Sequence, residues 1–504
     1  MALQVRFHVL DDRAPTDLGH YYISFRNTLA WWQQHGVVNW RIVDTPYSLL
    51  LATLGAIRAP TVAFMEGVDT LWLLVLLLGA AGAARAASGP ASGATAGAVT
   101  ALALLAFPQT HVLARTHWIH HPEAAALVGA LGLWLSAPAL PRRGQALGVA
   151  ALLFLGETIR QTGIPFGVPL GLLILAVAWR RGARRTLVPV ALAFVGGLAW
   201  FLPTLLVYVR NKAGSAEGYA QSVTAPWSSI VDDLGLAALV WAVPLALVGA
   251  GALRRRDLSS LIAGLCLVWL AGAGAAVAVF NVGPDNFPIA AVALAVLAGM
   301  GAAALPVVAR PGAVALGGVA AVLLQVPPLL SYELVSRLPA ALRTSANPGP
   351  LNYLRVYWNP VPVEGVLSVV DQMCSVTRAD PRANCFILAT RGLFNPSWED
   401  GGTFALFLSG RPRVTIVTPE VLWTDDGRAT GETSRIHGLV DVRCAEGVAP
   451  RAGGRFLRQS ERMRTMLAAN FESNGGTSVA TFGDPRACVQ TWYLLPDDGG
   501  VLVE

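Results

Sequence analysis

Apolar runs of roughly 16 to 23 residues recur through the first two thirds of the chain, a length that suits helices crossing a bilayer. They predict helices near 68–87, 94–108, 122–138, 145–158, 164–179, 187–209, 235–253, 259–280, 287–307 and 312–332. From about residue 338 the pattern changes to short apolar runs between turn-rich segments. CFILAT, RVTIVTP, TSVATFGD and VQTWYLLP read as strands there, and VEGVLSVVDQMCSV, DGGTFALFLSG and RFLRQSERMRTMLAANF read as helices. The expected fold class is a polytopic all-α membrane domain of about 10 to 11 transmembrane helices, followed by a small soluble α/β domain. Its expected divisions are a first loop over 1–66, the helical domain over 67–333 and the α/β domain over 338–504.

Composition agrees, because 504 residues with 54% hydrophobic and 13% charged side chains and a mean hydropathy of +0.52 are too apolar for a soluble globule. The net charge of +6 raises the question of a nucleic-acid partner, and its placement answers it. Residues 338–504 carry 16 basic and 17 acidic side chains, so the excess lies in the apolar part. Arg85, Arg142, Arg143, Arg180, Arg181, Arg184, Arg185, Arg254, Arg255, Arg256 and Arg310 sit in short gaps between apolar runs, accompanied there only by Asp257. Such asymmetry marks the cytoplasmic side. The gaps at 109–121, 159–163, 210–234 and 281–286 then lie outside, together with 1–66 and the tail. MALQVRFHVL is too short to span and reads as the end of a truncated first helix. Ala/Gly runs at 78–87 and 269–278 are expected to pack helices closely.

The candidate chemistry lies in the outer gaps, since a charge at a membrane surface must face water, a partner or a substrate. The first loop opens with Asp11, Asp12, Asp17, His20 and Tyr21 and continues rich in Trp and Tyr. Acids beside aromatic rings suit proton removal from a hydroxyl or amine and packing of a sugar ring, or else an interfacial helix anchored in headgroups. His117, His120, His121 and Glu123 have i, i+3 and i+4 spacings that fit either a divalent-metal site on one helical face or a simple water interface. Arg160 stands at an outer helix end, where a guanidinium fits a phosphate bidentately; Glu157, three residues earlier, offers an intrahelical ion pair, and the two readings are compatible because such a pair can hold the Arg poised. Arg210, Asn211 and Lys212 place cations outside, against the prevailing trend, either for an anionic headgroup or as snorkelling side chains. No GxxxxGK segment that would cradle nucleotide phosphates is present.

The order of these motifs resembles the glycosyltransferase C superfamily of polyprenyl-phosphate-sugar transferases, related to protein O-mannosyltransferases and lipid A aminoarabinose transferases. Asp17 and Tyr21 match the Asp and Tyr of the family's Asp-Glu-x-x-Tyr motif, with Leu18 in place of Glu, and DTPYSLLLATLGAI matches the Pro segment that follows. Arg115 and Pro122 match a later motif in which His120 stands where the family carries an acid, with Glu123 one turn on. ETIRQTG places Arg160 at the family's outer arginine, and RNKAG resembles a helix exit that bears Arg210, Asn211 and Lys212.

The resemblance implies an integral protein of a bacterial inner or plasma membrane, inverting a sugar from a polyprenyl-phosphate donor onto a lipid, glycan or protein acceptor. It implies Asp17 as base, with Asp11 and Asp12 beside it, and His20, Tyr21, His120, Glu123, Arg160, Arg210, Asn211 and Lys212 as substrate contacts. No nucleotide or redox cofactor enters this chemistry, and a divalent metal is the one candidate cofactor. The competing classes are a flippase or transporter of a lipid-linked or anionic substrate, whose buried charges line a path, and a non-catalytic assembly subunit. In the tail, Cys374, Cys385, Cys444 and Cys488 permit two disulfides in any of three pairings, and no CxxC indicates zinc.

Overall fold

In a computed structural model of the chain, the residues described are 28–29, 32–33, 35–38, 45–57, 62–107, 110, 120–136, 143–160, 163–180, 182–183, 187–200, 236–255, 257–280, 288–329, 363–375, 385–389, 414–417, 436–444, 476–483 and 488–494. They fall into two compact units, one of Asp44–Leu50 and Gly67–Pro350, the other of Met1–Val43, Leu51–Glu66 and Leu351–Glu504.

Helix α1 (Pro46–Ile57) begins as its sequence dictates. Thr45 Oγ1 accepts the Ser48 N–H at 3.2 Å, and Pro46 occupies the first helical position, where its missing N–H costs nothing. There follow α2 (Val62–Ser88), α3 (Gly93–Ala106), α4 (His120–Ser136), α5 (Arg143–Thr158), α6 (Gly163–Arg180), α7 (Leu187–Trp200), α8 (Leu236–Ala250), α9 (Leu258–Phe280), α10 (Pro288–Ala304) and α11 (Arg310–Leu329). Each lies within or across one of the apolar runs. By length and composition, Gly67–Ser88, Gly163–Arg180 and Leu258–Ala276 are long and apolar enough to cross a membrane. The protein is an integral membrane protein. Leu78, Trp179, Val240 and Leu247 are more than two thirds exposed, which would be anomalous in water and is ordinary against lipid.

α10 is buried along nearly its whole length and packs against α3, α8 and α9. Small residues make this approach close. A Cβ on Gly301 would collide with the Leu245 carbonyl of α8, and one on Gly249 with the Leu297 carbonyl of α10, so both backbones touch where only glycine fits. The run at 78–87 is used in the same way, since Gly79 of α2 meets Gly132 of α4. In the run at 269–278 the two glycines make no such backbone contact, although Ala273 is buried. A Cβ on Gly272 would make only ordinary contact with Phe166 at 3.5 Å, and one on Gly274 would meet nothing. α6 ends where Gly182 takes a φ of +65°, and the Gly182 and Ala183 N–H groups satisfy the Trp179 and Ala178 carbonyls.

In the other unit, α12 (Val363–Met373) buries Val366, Val369, Val370 and Met373, one face at helical spacing. The sheet runs β2-β1-β3-β5-β4, with β1 (Cys385–Ala389), β2 (Val414–Val417), β3 (Ile436–Cys444), β4 (Thr477–Gly483) and β5 (Cys488–Leu494). β1 pairs in parallel with β2 and β3, while β5 pairs antiparallel with β3 and β4. The central strand β3 is absent from the sequence expectation, because Gly438, Asp441 and Arg443 interrupt its apolar pattern. Asp441 is wholly buried there and accepts the Arg443 Nε–H at 2.6 Å. A disulfide joins Cys374, just past α12, to Cys385 at the start of β1. The helices expected within 400–410 and 455–471 lie outside the described residues.

Candidate functional site

α4 and α5 pack side by side, and the Gln145 amide donates to the Leu133 carbonyl at 2.6 Å where the first ends and the second begins. Their far ends therefore bring the start of α4, with His120, beside the end of α5, with Arg160. The Arg160 guanidinium donates from Nη1 to the His120 ring, 3.2 Å from Nδ1 and closer to Nε2. His120 is fully buried and Arg160 half-buried. Glu123, one turn along α4, lies 3.8 Å from His120 Nδ1 and is nearly buried.

Sequence alone offered Glu157 as the partner of Arg160; the structure gives it His120 instead. Glu157 turns away into the packing between α5, α6 and α7. Both of its carboxylate oxygens are buried with no hydrogen-bond partner among the described residues. Space for it is made by glycine, since a Cβ on Gly167 would come within 2.5 Å of Glu157 Cγ and one on Gly197 would collide with Glu157 Oε2.

The turn that carries Arg160 is equally dependent on a missing side chain. Gly163 donates its N–H to the Arg160 carbonyl at 3.0 Å, and a Cβ on Gly163 would collide with the Gly156 carbonyl. Just beyond, Pro169 deprives the Pro165 carbonyl of its helical donor. In the same stretch the buried Trp269 indole of α9 donates to the Phe166 carbonyl at 2.9 Å, pinning the start of α6. Arg160 is thus fixed by α4, by its own turn and by the α6 segment that follows.

An imidazole can orient this arginine but cannot neutralise it, and no ion pair joins Arg160 to a carboxylate among the described residues. A half-buried cation of that kind is a ready contact for an anion. The metal expectation fares differently. Among the described residues no three His, Cys, Asp or Glu side chains gather as ligands, although His121 is buried beside His120. His117 lies outside the described residues, as do Asp11, Asp12, Asp17, His20, Tyr21, Arg210, Asn211 and Lys212.

A second polar group escaped the sequence reading. The Trp72 indole of α2 donates to the Tyr47 hydroxyl of α1 at 3.1 Å, with the rings edge to face at 6.1 Å. Asp69, one turn before Trp72, is fully buried. Burial, and then the charge of Asp69, push the Tyr47 hydroxyl well above its usual pKa. The available signal was an acid at the head of an apolar run.

No protein-family model matches the chain, and no curated protein matches it. Solved structures do. ArnT from Cupriavidus metallidurans in the apo state is similar with a TM-score of 0.50 and 17% identity, over 97% of this chain and 96% of that one. The structure of the same protein bound to undecaprenyl phosphate matches with the same score, identity and coverage. The chain has the fold of ArnT. The apo Archaeoglobus fulgidus oligosaccharyltransferase gives a TM-score of 0.49 at 11% identity, covering 87% of this chain and 68% of that one. The ArnT fold is the one implied by the resemblance to the glycosyltransferase C superfamily.

Proposed function

We propose that the protein is a membrane glycosyltransferase that takes a sugar from a polyprenyl-phosphate donor and passes it to an extracytoplasmic acceptor. The observation that carries this reading is Arg160, held by His120 and joined to no carboxylate among the described residues, in a chain with the ArnT fold. ArnT has been solved with undecaprenyl phosphate bound. The Arg-rich helix ends face the cytoplasm, and the gaps holding Arg160 and the first loop, like the α/β tail, face outward.

In the proposed reaction the donor enters laterally from the outer leaflet. Its phosphate meets Arg160, assisted by Arg210, Asn211 and Lys212, while His20, Tyr21 and Glu123 contact substrate. Asp17, flanked by Asp11 and Asp12, removes the proton from the acceptor nucleophile as it attacks the anomeric carbon. The bond from that carbon to the phosphate oxygen breaks on the opposite face, so the configuration inverts, and the cations stabilise the departing lipid phosphate. Incubating the purified chain with radiolabelled polyprenyl-phosphate sugars tests this directly. Release of lipid phosphate by the wild type, lost in Asp17→Asn with normal membrane insertion, is the expected result; full turnover by Asp17→Asn removes Asp17 as the base.

A further inference from the structure

At the other end of the bundle, away from Arg160, the helix ends line a half-open cavity of about 480 Å³. Ser88 ends α2, Ser92 precedes α3, Gly251 follows α8, Ser259 opens α9 and Arg310 opens α11; these five line the cavity together with Arg255. No acidic side chain among the described residues lines it. Helix N-termini of α3, α9 and α11 gather here, but so do the C-termini of α2, α8 and α10, so the helix dipoles largely offset one another. The sign of the site is decided by the two arginines.

Neither guanidinium is paired with a carboxylate among the described residues. Among the described residues Arg310 gives only its Nε–H to a neighbour, the Leu305 carbonyl at 3.1 Å, and its two terminal nitrogens make no hydrogen bond there. Asp257, the nearest acid in sequence to Arg255, is exposed and accepts the Ser260 N–H at 3.3 Å. The serines divide in an instructive way. Ser259 donates to the Ala87 carbonyl at 2.6 Å and Ser92 to the Ser88 carbonyl at 2.8 Å, which ties the wall together. The Ser88 hydroxyl oxygen is itself buried and has no hydrogen-bond partner among the described residues. Buried polar atoms are nearly always satisfied, and a Ser88 hydroxyl rotated toward the cavity has a donor to offer an anion there.

We propose that this cavity binds a phosphate-bearing anion, held by Arg255 and Arg310 and accepting the Ser88 hydroxyl. Two unneutralised guanidiniums match a phosphate in charge and fork geometry. A volume within the usual range of ligand pockets admits a phosphodiester headgroup as well as an inorganic ion. Basic pockets between transmembrane helices on the cytoplasmic side suit anionic headgroups, so both sources of the same chemistry are tested. The inference is independent of the transfer reaction and of the outer site.

The full chain in neutral detergent would be titrated with phosphatidylglycerol, with phosphatidylcholine as control, and bound lipid counted by native mass spectrometry. Thermal shifts in sodium phosphate against sodium chloride at matched ionic strength probe the soluble source. One phosphatidylglycerol retained against phosphatidylcholine assigns a lipid headgroup; stabilisation by phosphate alone assigns a soluble anion. In either case Arg255→Gln with Arg310→Gln lowers affinity about tenfold or more. Gly251→Leu tests the space without touching charge, because a Cβ there meets nothing within 4 Å. It should abolish binding while the melting temperature holds. The proposal is overturned if neither probe binds the wild type more tightly than the arginine double variant, or if Gly251→Leu binds as the wild type does.

Discussion

Arg160 admits two roles that mutation can separate. If it contacts the donor phosphate, Arg160→Lys keeps the charge and loses the bidentate fork, costing about 1.5 to 3 kcal/mol as for a hydrogen bond to a charged group. That corresponds to roughly tenfold to a hundredfold weaker donor binding. If Arg160 only ties the start of α4 to the end of α5, its loss shows in stability. Removing the guanidinium would take from the fully buried His120 ring the cation it meets, with Glu123 3.8 Å from its Nδ1. Removing the ring, as in His120→Phe, would leave the half-buried guanidinium without its acceptor.

The double variant Arg160→Gln with His120→Phe therefore decides. Each single change should lower the melting temperature, and the double should recover part of the loss because the contact is then removed from both sides. Binding of polyprenyl phosphate to the full chain in nanodiscs, measured beside thermal stability, supplies the second readout. A double variant that is stable yet blind to the lipid phosphate is the expected outcome. One that binds it like the wild type would refute the phosphate role, whatever its stability.

Four further outcomes follow from the packing. Gly163→Ala drives a Cβ into the Gly156 carbonyl, so it should cost about 1 to 3 kcal/mol and weaken lipid-phosphate binding by displacing Arg160; unchanged binding would show that the turn does not position it. Gly167→Ala should destabilise by a similar ~1 to 3 kcal/mol through Glu157 Cγ and Oε1, with recovery when Glu157→Ala is added; simple additivity in a double-mutant cycle would contradict the contact. Tyr47→Phe strands the Trp72 indole N–H and should cost about 1 to 3 kcal/mol. Because the Tyr47 pKa is raised in the folded state, the unfolded side chain ionises first and that ionisation favours unfolding, so stability should fall above about pH 10, and Tyr47→Phe should flatten that fall. Mass mapping without reductant should find Cys374–Cys385 and Cys444–Cys488, since the β3–β5 register sets Cys444 opposite Cys488 and Cys266 is the free buried thiol; closing the first loop, with a sequence separation of 11, is worth about 3 kcal/mol.

The apolar runs located the helices because a bilayer-length stretch is a long and strongly biased signal, and the residues flanking them singled out both His120 and Arg160. What the sequence could not carry was their meeting, across 40 positions, which depends on α4 and α5 lying antiparallel. Local spacing pointed to Glu157 instead, and it misled because i, i+3 proximity says nothing of what a neighbouring helix offers. Here α6 and α7 present glycines that make room for the carboxylate away from Arg160. Glycine usage failed as a guide for the same reason. The run at 269–278 is as rich in small residues as 78–87, but only contact with a partner backbone distinguishes a packing glycine from an idle one. In the tail, β3 was hidden because its buried Asp441 is made tolerable by Arg443 two residues on, a pair that reads as solvent-facing polarity until the sheet is in view.

The resemblance sets an acid at the position of His120, and this departure bears on the site's chemistry. A carboxylate beside Arg160 would neutralise the guanidinium and compete with an incoming phosphate for the same donors, so an anion would have to displace an ion pair before binding. The imidazole accepts a hydrogen bond from Nη1 without adding a negative charge, and the neighbouring Glu123 stands 3.8 Å beyond the ring. The arginine is thereby held in one orientation with its charge intact, and the cost of ordering a long side chain is met before any ligand arrives. His120→Asp should consequently weaken lipid-phosphate binding, because a carboxylate at that position competes with the phosphate for the guanidinium. A variant that kept wild-type binding would show that the charge of Arg160 is not what the phosphate reads.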